Sequence, residues 1–380
     1  MSRGLPLLCV GLLLGCGASA PTGSTTRADD DPAVLTQRAE DAWRALDPSE
    51  AASLAERAVS AGGGTVALEI AARAHLASGE DEAALAVLAR ASSPHLRHLR
   101  ARARAATGDF AGAAADLEDD DDPWAEAVRP AFAALAARSA YRVEGEAASI
   151  PLEPLPLPVV RVRIDGVETR AVISTGAEWT ILDPSVRASP GAIDELGIGD
   201  LTVEGVPHTV RSLEALSDGL GVPIGAAIGL DLLLLLHARI DGPAGRLDVS
   251  RVAGAPSEES SPAPFVTPTG AFLALPARLA DVAVWLTVDT TGVYPIALVP
   301  GAEEAFETSV EWEPAEGVGQ AILPARVGAM AIEGLPVLRG LLDEDHARAV
   351  GAPVAGAIGW GLLGQLVTRF DPDRRRLVFE

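Results

Sequence analysis

Two stretches of this chain break off in the same way. In Ala171-Val172-Ile173-Ser174-Thr175-Gly176-Ala177 and in Leu286-Thr287-Val288-Asp289-Thr290-Thr291-Gly292, a run of β-favouring residues ends abruptly in small hydroxyl-bearing and glycine residues. Each is followed by the same apolar signature, first Ala227-Ile228-Gly229 with Leu232-Leu233, then Ala357-Ile358-Gly359 with Leu362-Leu363. The correspondence continues without a gap: Gly229, Arg239, Asp241 and Leu247 recur as Gly359, Arg369, Asp371 and Leu377, each 130 residues later. Leu201-Thr202-Val203-Glu204-Gly205-Val206-Pro207 likewise returns as Met330-Ala331-Ile332-Glu333-Gly334-Leu335-Pro336, 129 residues on. The second half of the chain is therefore one β unit built twice. Both copies offer a loop in which a carboxylate could do chemistry, and only the second, with Asp289, has one.

The alternation that marks this half starts at Val159. Val159 to Ile164 and Val167 to Ile173 flank Asp165-Gly166, the pattern of a β-hairpin whose second strand runs into Ser174. Before it, residues 33–141 are rich in Ala, Leu, Arg and Glu at helical spacing. There Ala77-x-Gly79-Glu80-x-x-x-Ala84-x-x-x-Leu88 recurs 29 residues later as Ala106-x-Gly108-Asp109-x-x-x-Ala113-x-x-x-Leu117. Small residues let paired helices approach and glycine marks the turn between them, so the pattern resembles tetratricopeptide-type helix pairs of short period. Such a surface is a candidate for binding a protein partner. Glu118 to Pro123 is a charge run without the alternating ligands and glycine turn of a calcium loop, and reads as a solvated turn. Four prolines between Pro151 and Pro158 read as an extended linker.

The thirty basic residues are all arginine, and the net charge of −23 argues against nucleic acid as a partner. At the amino terminus Arg3 precedes an apolar run from Leu5 to Leu14, too short to span a membrane. Leu13-Leu14-Gly15-Cys16 resembles a bacterial lipoprotein box, which implies lipidation at Cys16; an ordinary secretory signal cleaved near Ala20 is the other reading. With Cys9 inside the segment to be removed, the mature chain has no thiol pair, hence no disulfide and no thiolate metal site. The six histidines are scattered without metal-ligand spacing, so neither a metal nor a cofactor is expected. Lipidation implies a chain anchored in the bacterial cell envelope, at the outer membrane and facing the periplasm.

A strand ending in Asp-Thr/Ser-Gly-Ala, then a strand pair, then Ile-Gly-x-x-Leu-Leu and a closing strand with an aspartate resembles the retropepsin-type aspartic proteases. Two tandem copies, over about residues 150 to 380, resemble the bilobal, pepsin-like arrangement. The resemblance implies a mainly β bilobal domain behind a helical one: signal peptide 1–16, tether 17–32, helical domain 33–141, lobe one 150–252, linker 253–268 and lobe two 269–380. It also implies a polypeptide substrate or ligand, bound extended between the lobes. In that family two carboxylates about 3 Å apart share one proton, so that one activates water while the other protonates the carbonyl.

Here the pattern breaks on both sides. Lobe one keeps Thr175-Gly176-Ala177 but has Ser174 where the family has Asp. Lobe two keeps Asp289-Thr290 but has Thr291 where the family has Gly, and a β-carbon there is expected to crowd the loop. If the lobes pair, Ser174 faces Asp289. The catalytic candidates are thus Asp289 and Thr290 with Ser174 at the degenerate position, and the binding candidates are Thr175 and Gly176. Gly317 and Gly319, in Glu316-Gly317-Val318-Gly319-Gln320, fall where lobe two is longer than lobe one and are candidates for a flap. The expected function is a degenerate protease that binds polypeptide without turnover. The alternatives are an active aspartic endopeptidase using Asp289 and a helical interaction module with a merely structural β-domain.

Overall fold

The structure, a computed structural model, describes residues 31–91, 93–254, 260–306, 312–315 and 318–380. The expected signal peptide, the lipidation site Cys16 and nearly all of the tether lie outside the described residues, as does Gly317.

Seven helices come first: α1 (Pro32–Arg44), α2 (Pro48–Ser60), α3 (Thr65–Ser78), α4 (Asp81–Leu88), α5 (Arg97–Ala106), α6 (Phe110–Asp116) and α7 (Pro123–Leu135). Three of them begin at an Asp-Pro pair. Asp31, Asp47 and Asp122 each cap an exposed backbone N–H, those of Ala33 (2.8 Å), Glu50 (3.0 Å) and Trp124 (2.8 Å). The proline that follows fills a position whose own N–H would have had no partner. Consecutive helices pack on one another along the whole series. The small-residue pattern falls on two successive pairs, α3–α4 and α5–α6. Gly79 adopts φ +69 and Gly108 φ +84 at the turns, while Ala84, Leu88, Ala113 and Leu117 are fully buried. A bidentate ion pair from Arg100 to Asp116 (2.6 to 3.0 Å) ties α5 to α6. The acidic run forms a turn in which Asp120 accepts from the Asp122 N–H (3.1 Å) and the Glu118 carbonyl accepts from Arg129 (2.7 Å), and it ends in the Asp122 cap.

The rest of the chain forms two closed six-stranded barrels. In the first, 159–164, 167–173, 226–228, 180–182, 201–210 and 191–198 neighbour one another in that order, and the last pairs back to the first. In the second, 274–279, 282–289, 356–359, 296–298, 330–339 and 318–327 repeat the same path and close likewise. Matched parallel pairs hold the central strands, with Ile173 opposite Ile228 and Asp289 opposite Gly359. Each long hairpin turns on a glycine in the left-handed region, Gly199 and Gly328, both at φ +58.

A third sheet joins the barrels. Strands 147–151, 246–250 and 239–241 from the first half continue into 367–371, 376–379 and 261–264 from the second, all antiparallel. At its middle Arg239 lies opposite Arg369, the two residues separated by the repeat length. One apolar core runs through both barrels and this sheet. The architecture agrees with the expected mainly β, bilobal half behind a helical region. The proline stretch, however, is no interdomain linker: Pro151 to Pro158 joins strands 147–151 and 159–164 of the same half, and Leu157 is buried. The chain has already entered the β half at Arg142–Glu144, a strand paired with 201–210. Prolines at that spacing specify extended backbone, and a loop between two strands satisfies this as well as a linker does.

Candidate functional site where the two barrels meet

Strand 167–173 runs directly into Ser174, and strand 282–289 ends on Asp289. The next residue in each loop, Thr175 and Thr290, is completely buried, and the two hold each other reciprocally. The Thr175 hydroxyl donates to the Val288 carbonyl (2.7 Å) and accepts from the Thr290 N–H (3.0 Å). The Thr290 hydroxyl donates to the Ile173 carbonyl (2.7 Å) and accepts from the Thr175 N–H (3.1 Å). Two hydroxyls thus satisfy two buried amides and two buried carbonyls across a local two-fold. The carbonyls they bind belong to the residues just before Asp289 and Ser174, so the grip fixes both candidate positions at one junction.

Both oxygens of Asp289 are engaged by its own loop. Oδ1 accepts from the Thr291 N–H (2.9 Å) and from the Thr291 hydroxyl (2.6 Å), and Oδ2 accepts from the Tyr294 hydroxyl (2.6 Å). Tyr294 is nearly buried, and burial, the Asp289 charge and the hydrogen bond to it all push its ionisation well above the ordinary phenol range. It therefore stays a neutral donor. Thr291 does not crowd the loop as expected. It is not among the non-glycine residues with positive φ, so the position makes no demand that only glycine meets. At the matching position a β-carbon on Gly176 would lie 3.1 Å from the Phe272 ring, a tight contact that the ring would have to ease by a few tenths of an ångström. Phe272 itself adopts φ +59 and packs edge-on against His346, ring centres 5.3 Å apart. His346 Nε2 lies 3.0 Å from the Thr287 hydroxyl; burial pulls its ionisation down, against the Asp289 and Asp343 charges.

Ser174, Thr175, Asp289 and Thr290 are thus brought to one junction, with Gly176 beside it. Gly319 belongs to another feature. It is buried in strand 318–327, which forms a hairpin with 313–315 on one side and on the other sets Gly319 opposite Arg339 of strand 330–339, whose side chain a β-carbon would run into. The Arg339 guanidinium lies 5.0 Å from the Trp312 ring. Tyr294, His346 and Phe272 were not visible as site residues in the sequence. The nearest signal was Tyr294, five positions after Asp289. Trp285, four positions before Asp289, packs against an apolar cluster that includes Leu46, Ala274 and Val350. Asp241 and Asp371 are turn residues, accepting from Ala244 N–H (2.9 Å) and Arg374 N–H (3.2 Å). Among the described residues no group of three or more His, Cys, Asp or Glu side chains is placed to hold a metal, and no helix is long and apolar enough to cross a membrane.

Comparison with known proteins adds little to this geometry. No family model matches the chain, and no curated protein matches it. Among solved structures it is similar to the crystal structure of a retropepsin-like aspartic protease from Rickettsia conorii, at 17% identity and a TM-score of 0.24. That match covers 32% of this chain and 90% of the other.

Proposed function

We propose that the two barrels form a bilobal, aspartic-protease-like module that has lost its catalytic dyad and binds extended polypeptide between the lobes without cleaving it. The observation that carries this reading is the junction itself. Thr175 and Thr290 hold the two loops together; one loop supplies Asp289, and the residue that the other supplies where a second carboxylate would be needed is Ser174. A serine hydroxyl has no acidic proton to share, so the opposite loop supplies no carboxylic acid to protonate a substrate carbonyl while Asp289 activates water. The carboxylate is moreover held by Thr291 and Tyr294, both of which draw electron density from the oxygens a water would need. Removing one member of a catalytic unit costs on the order of 10⁴-fold or more in rate.

The test is equilibrium binding of fluorescein-labelled extended peptides to the full chain, followed by mass spectrometry of the recovered peptide. Saturable binding with the peptide recovered whole is expected, displaced by a pepstatin-type inhibitor. Absence of any saturable binding would refute the reading. Attachment to the envelope through Cys16 belongs to the same proposal and rests on the sequence alone; Cys16→Ser is expected to move the protein from the membrane to the soluble fraction.

A further inference from the structure

A cavity of about 590 Å³ opens between the helical half and the first barrel, within the range of roughly 300–1,000 Å³ usual for small-molecule sites. Much of its lining is aliphatic or aromatic, with Leu76, Leu99 and Phe110 on the helical side and Leu230, Leu234 and Leu235 on the barrel side. The polar part of the wall is unbalanced toward donors. Arg102 Nε, Trp179 Nε1 and Arg375 Nε, all from lining residues, are buried nitrogens with no hydrogen-bond partner, and each can only donate. Of the carboxyls in the same wall, Glu178 accepts from Trp124 (2.9 Å) and Arg102 (3.2 Å) and Asp231 accepts from Tyr141 (3.0 Å), while Asp81 feels the Arg375 charge and has its ionisation pushed up by burial.

Arg375 is the group least accounted for. Its Nη2 donates to the Ala77 carbonyl (2.6 Å) and the Thr267 hydroxyl (3.0 Å) and its guanidinium lies 5.0 Å from the Phe265 ring, yet no carboxylate is among these partners. Asp81 and Glu80 act on it only from further away, and burial pulls its ionisation down. Arg102 donates to the Thr269 carbonyl, so the two guanidiniums hold the same turn, Thr267–Thr269. A partly desolvated cation with no carboxylate in contact gains from an anion that reaches it.

We propose that this cavity binds an aliphatic monocarboxylate, its head group against Arg375 and Arg102 beside the Thr267–Thr269 turn and its chain along the leucines. A doubly charged head group fits less well, because Asp81, Glu178 and Asp231 share the wall. This site is separate from the Thr175–Thr290 junction and does not depend on the function proposed for it.

The experiment is calorimetric titration of the full chain with dodecanoate below its micellar concentration, beside dodecanol and dodecyl phosphate. One saturable site is expected, with dodecanol and dodecyl phosphate each at least tenfold weaker. Arg375→Gln, which keeps a donor for Ala77, and Leu234→Trp, which fills the apolar side with Arg375 in place, should each weaken dodecanoate at least tenfold. Should Arg375→Gln fail to fold, Leu234→Trp decides alone. No saturable binding by the parent chain, unchanged affinity in a folded variant, or equal affinity for dodecanol or dodecyl phosphate would overturn the proposal.

Discussion

Thr175 and Thr290 carry more of this structure than their size suggests. Each hydroxyl is donor to one buried carbonyl and acceptor for one buried amide of the opposite loop. Thr175→Val keeps the shape but strands the Thr290 N–H and the Val288 carbonyl, which should cost roughly 2–4 kcal/mol of stability in urea unfolding. Thr175→Ser, which keeps the oxygen, should cost far less. A second residue-scale effect is a pH dependence. Asp231 is half-buried in the cavity wall, and desolvation raises its pKa to about 7, against hydrogen bonds from Tyr141 and Thr180. Below about pH 4 the group is protonated in folded and unfolded chains alike. Between about 4 and 7 only the unfolded chain gives up its proton, so the stability this carboxyl contributes is full at low pH and is lost as pH rises to 7, by up to about 1.4 kcal/mol per pH unit. Unfolding measured from pH 4 to 8 should show this decline in the parent chain and a smaller one in Asp231→Asn.

At the scale of the element, the sheet joining the barrels sets like charges side by side. Arg239 and Arg369 are paired across its centre, a placement that is unfavourable unless each is matched. Arg239 is matched by Asp248 (2.9 Å) and Asp241 (3.0 Å). Arg369, 6% exposed, bonds the Gly254 carbonyl (2.8 Å) and pairs with Glu380. Glu380→Ala leaves that guanidinium buried without its carboxylate and should destabilise by on the order of 3 kcal/mol in chemical unfolding, whereas the double change Arg369→Met with Glu380→Leu should come closer to neutral. The contrast shows what local sequence can and cannot specify. Alternation and glycine turns are local, so the hairpin at Asp165-Gly166 could be read directly. That Arg239 meets Arg369 depends on how two barrels approach, which no local pattern encodes. Tyr294 was missed for a related reason: it reaches Asp289 through the curl of one loop, and five residues of spacing do not say where that curl goes.

Across the whole molecule, the helices are built into the first barrel. Phe132 on α7 is fully buried and touches Phe110, Trp124 and Trp179, with ring centres 5.4 to 6.4 Å apart, and Trp179 belongs to the barrel. The Trp124 indole and Arg102 both reach Glu178, and Tyr141 reaches Asp231. Phe132→Ala should remove roughly 3–5 kcal/mol and separate the unfolding of helices and barrels into two transitions in calorimetry. An unchanged, single transition would mean that the two halves are not energetically joined there. The sequence announced both halves by their different periodicities but read the prolines as a linker, because composition records where strands and helices are favoured and not which surfaces they bury.

Digestion at acid pH tests the central claim about Asp289 most directly. The full chain, Asp289→Ala, and a variant carrying Ser174→Asp with Thr291→Gly and Tyr294→Phe would be incubated with an unfolded polypeptide between pH 3 and 6, with and without a pepstatin-type inhibitor. The parent chain and Asp289→Ala should leave the polypeptide intact, and the triple variant should cut it in an inhibitor-sensitive way. Inhibitor-sensitive cleavage by the parent chain that disappears in Asp289→Ala would contradict the account.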